Sequence, residues 1–118
     1  MSRFLTLIQE FEDNVQAQYE AIKRGDHKAS NKHAKRYIKA FQELRMHGDE
    51  GREAFSVLLT SGKDEVRGMA AAFLLRYKKT EALTILEELS RGESLVAFSA
   101  RETLARLAEG DWQLDPAD

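Results

Sequence analysis

The chain has 118 residues, 18 Lys/Arg against 20 Asp/Glu, a formal net charge of −2, and 42% apolar and 32% charged residues. That length suits one domain with its own hydrophobic core, so residues 1–118 are expected to fold as a single unit with a tail over 110–118. The composition is that of a globular chain rather than a disordered or membrane one, and no run nears the roughly 18 apolar residues of a spanning helix. With no cysteine, disulfides, thiolate metal ligands and cysteine nucleophiles are excluded. The opening MSRFLTLIQEFEDNV meets Gln9 and Glu10 too soon for a secretory apolar core, and a cytoplasmic protein is expected.

The single proline is Pro116, and clusters of β-branched residues are missing, so the chain reads as all helical. Glycines and capping residues divide it at Gly25-Asp26, Gly48-Asp49, Gly62-Lys63-Asp64, Lys79-Thr80, Gly92-Glu93-Ser94 and Gly110-Asp111. The first five of these pair a helix stop with an N-cap side chain. Six helices are expected over 3–24, 27–47, 50–61, 65–78, 81–91 and 95–109.

The first helix aligns Phe4, Ile8, Phe11, Val15, Tyr19 and Ile22 on one stripe, and burial is confined to that stripe. The second carries the seam Ala34, Tyr37, Ile38, Phe41 and Leu44, and the two-residue link before it turns it back on the first. The fourth has Val66, Met69, Ala70, Phe73, Leu74 and Tyr77 on one face and Gly68, Ala71, Ala72 and Leu75 on the other. A helix apolar all round is expected in the middle of the structure. Ala82, Ile85, Leu86 and Leu89 repeat the amphipathic pattern in the fifth.

Two stretches repeat. Glu53-Ala-Phe-Ser-Val-Leu58 matches Glu81-Ala-Leu-Thr-Ile-Leu86, and Val66, Ala70 and Leu74 match Val96, Ala100 and Leu104. Helix pairs at this period mark an α-solenoid, in which stacked pairs share a core that one pair cannot close. The segment Asp64-Glu-Val66-Arg67-Gly-Met-Ala70-Ala-Ala-Phe-Leu74 resembles the second helix of a HEAT repeat, with Asp, Val-Arg, Ala and Leu at that repeat's spacing. The later copy departs from it, with Ser94 and Ala97 in place of the aspartate and arginine.

Over its whole length the chain also resembles a family of small bacterial HEAT-like domains with no assigned biochemical activity. The residues that carry this likeness are Ala17-Gln-Tyr-Glu-Ala21, Glu43-Leu-Arg45 followed by Gly48-Asp-Glu-Gly-Arg-Glu-Ala54, and Ala97-Phe-Ser-Ala100. The resemblance implies a right-handed HEAT-like α-solenoid of about three antiparallel helix pairs and a binding role. It supplies no catalytic residue. Some small helical-repeat proteins of this type neutralise secreted toxins.

Between Lys23 and Lys39 seven cations, Lys23, Arg24, Lys28, Lys32, Lys35, Arg36 and Lys39, face one acid, Asp26. On the helical wheel Lys28, Lys32, Lys35, Arg36 and Lys39 share about 100° of arc opposite the apolar seam. This ridge reads either as a solvated outer face or as a contact for an acidic protein surface or phosphates. Residues 49–118 hold nine basic and fourteen acidic side chains, and the ridge has no interleaved exposed aromatics for bases to stack on, so a protein partner is expected ahead of nucleic acid. No membrane partner is expected.

His27 and His33 are six residues apart, about 120° around a helix, which does not suit chelation. His33 reads as a packing residue and His47 as a C-terminal cap. No carboxylate pair lies in apolar sequence, the serines lack a nucleophile turn, and Gly48-Asp-Glu-Gly-Arg52 lacks the glycine spacing and lysine of a phosphate loop. No catalytic, metal or cofactor residue is assigned, and the chain is not expected to be an enzyme. Two further contact candidates are the Gly68–Ala71–Ala72–Leu75 face, flanked by Arg67 and Arg76, and the tail with Trp112 and Leu114. Either could instead be covered, the first by helices two and six, the second by folding back as a lid.

Overall fold

The computed structural model describes residues 3–110 and 114–115. Its described residues contain six α-helices and no strand. These are α1 (Arg3–Lys23), α2 (His27–Arg45), α3 (Asp49–Phe55), α4 (Asp64–Phe73), α5 (Lys79–Leu89) and α6 (Leu95–Ala108), with a 3-10 turn over Ser56–Thr60 after α3. The chain forms two compact units, Met1–Leu58 and Leu59–Asp118.

In the first unit α1 packs along α2, and α3 packs on both. Asp26 closes the free end of α2, its Oδ1 accepting from the Ala29 amide at 3.0 Å. The core is aromatic. Phe11 and Phe55 meet edge to face at 4.7 Å, Phe41 and Phe55 at 5.0 Å, and Phe11 and Tyr37 at 5.3 Å, geometry that favours the ring quadrupoles. The α2 seam is turned slightly from the expected one: Ser30, Tyr37, Ala40, Phe41 and Leu44 are buried, while Ala34 and Ile38 are half-buried.

Helix α3 stops short of the expected Ser61. The Ser56 hydroxyl donates to the Glu53 carbonyl at 2.6 Å, and with β-branched Val57 and Thr60 following the chain tightens into 3-10 geometry.

In the second unit α4, α5 and α6 pack on one another. Ala70, Ala71, Ala72 and Phe73 are all buried; four consecutive residues at 100° steps point all around a helix, so α4 is enclosed over its last turn, Arg67, Gly68 and Met69 before it being half-buried. It ends at Phe73, four residues earlier than its apolar pattern suggests, where the Leu74 amide is shared between the Ala70 and Ala71 carbonyls. Ser94 caps α6, accepting from the Ala97 amide at 3.1 Å. The expected caps Asp49, Asp64 and Thr80 instead sit inside the first turns of their helices, and Gly48, Lys63 and Lys78 hold the cap positions. There the two aspartates act on the helix dipole.

Candidate functional site

Lys28, Lys32, Lys35, Arg36 and Lys39 are all exposed. The cause is local: Tyr37, Ala40, Phe41 and Leu44 commit the opposite face of α2 to the core. Among the described residues none of these five cations forms a salt bridge. The other two cations of the run are engaged, Lys23 with Glu20 at 3.6 Å and Arg24 with Asp26 at 3.8 Å. Net positive charge is therefore concentrated on α2. One flank of the ridge is tempered, because Arg36 and Lys39 open with Glu10, Asn14 and Glu43 onto a shared depression. Glu43 is itself held by Arg3 at 2.6 Å.

Beneath the ridge the polar groups are satisfied. Asn14 Nδ2 donates to the Glu10 carbonyl at 2.8 Å, and Asn14 Oδ1 lies 2.9 Å from His33 Nδ1. The Tyr37 hydroxyl donates to Gln18 Oε1 at 3.1 Å. Burial pushes its pKa up to about 12, the Gln18 hydrogen bond opposing and the nearby Tyr19 reinforcing the shift. His33 is half-buried, with its ring against Asn14. His47 is exposed and stacks edge-on with Phe4 at 5.1 Å, while Met46 occupies the end of α2. Among the described residues no group of three or more His, Cys, Asp or Glu is placed to hold a metal ion.

The small-residue face at α4 is largely covered. Ala71, Ala72 and Leu75 are buried, and at Gly68 the cover comes from Leu89 of α5 and Val96 of α6. Its flanking arginines are engaged in structure. Arg67 binds the Ser61 carbonyl at 2.9 Å and Asp64 Oδ1 at 2.8 Å, bracing the entry to α4. Arg76 donates from Nε to the Asp115 carbonyl at 2.7 Å and from Nη2 to Asp115 Oδ2 at 3.4 Å. The tail is therefore anchored at Asp115, whose side chain is 1% exposed, with Leu114 half-buried beside it. Trp112 lies outside the described residues.

Three residues with structural or surface consequences escape a reading by pattern. Asp115 looks like one more acid in a polar tail. Gly51 looks like an ordinary helix residue, yet a Cβ there would lie 1.9 Å from the Leu44 carbonyl oxygen. Met46 is 83% exposed, and extending the three-and-four spacing of the ridge one turn past Gln42 would have reached it. No helix among the described residues is long and apolar enough to cross a membrane. In comparisons with known proteins, the chain matches no family model, no curated protein and no solved structure.

Proposed function

We propose that this chain is a non-enzymatic protein-binding module that docks an acidic partner surface on the basic ridge of α2. The observation that carries the reading is the set of five exposed cations, Lys28, Lys32, Lys35, Arg36 and Lys39, with no intramolecular counter-ion among the described residues. Uncompensated charge on a rigid helix gives long-range attraction and orientation more than raw affinity, as suits recognition of a charged partner. Toxin neutralisation is one concrete form of the role and an adaptor subunit another.

A HEAT-like stack of about three antiparallel helix pairs is the architecture proposed for it. In its favour, Val66 and Val96 are both buried, as are Ala70 and Ala100. The first helices of the two copies are less alike, since Ser56–Leu58 lies in a 3-10 turn and Thr84–Leu86 within α5. An experimental structure placing Val66 and Val96 in unrelated surroundings would end the repeat assignment.

The same ridge also favours a second reading, a nucleic-acid contact through phosphates. Reversing Lys32, Lys35 and Lys39 to Glu separates the two. The protein reading expects an unchanged helical circular dichroism spectrum and lost binding to an acidic polypeptide such as polyglutamate. The nucleic-acid reading expects binding to a DNA duplex whose affinity falls steeply with salt and vanishes in the triple variant. If the reversal alters neither, the ridge is solvated surface and the proposal fails.

A further inference from the structure

The exposed edge of α2 runs beyond the lysines. Lys28, Lys32, Lys35, Lys39, Gln42 and Met46 follow one another at four-, three-, four-, three- and four-residue intervals, and all six are exposed. At 100° per residue they lie within about 40° of a single line along the helix. Met46 keeps helical backbone angles, φ −64° and ψ −20°, so its side chain continues the line instead of leaving it. At 1.5 Å per residue the stripe is about 27 Å long, four cations at one end and a bare thioether at the other.

Alternating three- and four-residue spacing is the seam by which one helix meets another lengthwise. A phosphate backbone would gain nothing at Met46, and along the Arg36–Lys39 flank it would meet Glu10 and Glu43. A protein helix can answer both ends, with carboxylates over the lysines and an apolar side chain over the methionine. Methionine is well suited to such a contact, being flexible and polarisable.

We infer that this stripe seats a helix of another protein carrying Asp or Glu at alternating three- and four-residue intervals and one large apolar residue that covers Met46. The inference rests on the reading of the α2 ridge as the contact surface. Each lysine pair at such an exposed site contributes little alone. Recognition therefore comes from matching the register of the whole row and from the apolar contact that fixes its end.

Fluorescence anisotropy on the full chain tests this with four labelled probes. Two are helical 19-residue peptides with four Glu at the stated spacing and one Leu placed over Met46, at the C-terminus for parallel seating or the N-terminus for antiparallel. The third is a scramble of the same composition, and the fourth a DNA duplex. One patterned peptide is expected to bind about tenfold or more tightly than the scramble. Lys32→Glu with Lys35→Glu should weaken it by about tenfold, and Met46→Ser by a smaller factor of about three to five, with circular dichroism unchanged in both variants. Equal binding of patterned and scrambled peptides, both lost in the lysine variant, would overturn the seated helix and leave the ridge as an acidic-protein surface. Absence of binding by any acidic peptide would overturn both readings. Preferential binding of the duplex, indifferent to Met46→Ser, would give the stripe to nucleic acid and overturn the inference.

Discussion

In the first unit, four rings meet edge to face at 4.7 to 5.3 Å, Phe55 of α3 touching Phe11 of α1 and Phe41 of α2, and Phe11 touching Tyr37. The second is richer in small residues, with Ala70, Ala71, Ala72, Ala82, Ala97 and Ala100 buried among Leu59, Val66, Leu74, Leu75, Leu86 and a single ring, Phe73. Rings fill the space between helices from a few positions, so α2 buries one face and keeps the other for charge. Small side chains fill space only when helices close in from several directions, and the last turn of α4 is consequently enclosed. The free cationic row stands on the ring-packed unit. The small-residue face, which the sequence offers either as a contact or as covered, is buried at Ala71, Ala72 and Leu75.

The contrast is broken most severely at Gly51. There the backbone of α3 abuts the Leu44 carbonyl of α2, and a methyl group would overlap that oxygen at 1.9 Å. Backbone cannot swing aside as a side-chain tip can, so Gly51→Ala must displace α3 and pull Phe55 from its ring contacts. A loss of about 3 kcal/mol or more is expected, read as a lowered urea midpoint. A midpoint within error of the parent would show that α3 is not held against α2 as described.

Much of this architecture is legible in the chain because charge and apolar residues alternate at helical spacing. The six helices, the caps at Asp26 and Ser94, the outward lysines and the enclosure of the last turn of α4 all follow from local pattern. The departures arise where a distant group decides. Nothing near Gly51 in sequence reveals the Leu44 carbonyl, and nothing near Asp115 reveals Arg76, thirty-nine residues away. Ser56–Thr60 is helical by apolar count but tightens because Ser56 bonds backward to Glu53. Met46 lies outside the cationic composition that defines the ridge, though not outside its spacing.

The ring-packed core carries a titration of its own. Tyr37 is neutral in the fold up to about pH 12, whereas an unfolded tyrosine ionises near 10. Below pH 10 both states hold the proton and the stabilisation is complete. Between 10 and 12 only the unfolded state releases it, so stability falls by about 1.4 kcal/mol per pH unit, or about 2–3 kcal/mol over the window. Tyr37→Phe, compared with the parent at pH 9 and 11.5 by urea unfolding, should flatten that slope. Parallel slopes would place the alkaline sensitivity elsewhere.

In the alanine-rich unit the corresponding polar anchor is Arg76 on Asp115. Arg76→Ala removes bonds to both the carbonyl and the carboxylate and should cost about 1–2 kcal/mol. Asp115→Asn keeps the carbonyl bond and should cost less. Hydrogen exchange at the Asp115 amide, faster in the arginine variant than in the asparagine variant, would confirm that the guanidinium anchors the tail. Equal exchange in the two would deny it.

The smallest effect is expected at the other close glycine. At Gly68 a methyl group would meet Leu89 Cδ1 at 3.0 Å and Val96 Cγ1 at 3.7 Å, both tips of side chains. Leu89 is half-buried, so it has room to turn, and alanine recovers up to about 1 kcal/mol of helix propensity in α4. Crowding and propensity nearly cancel, and Gly68→Ala should shift the urea midpoint by less than about 1 kcal/mol equivalent in either direction. Two glycine-to-alanine changes would then differ severalfold because one meets a carbonyl and the other a methyl. Should Gly68→Ala prove as damaging as Gly51→Ala, the alanine-rich unit would be the rigid one, its side chains locked as firmly as the α3 backbone, and packing by small residues would leave no slack between α4, α5 and α6.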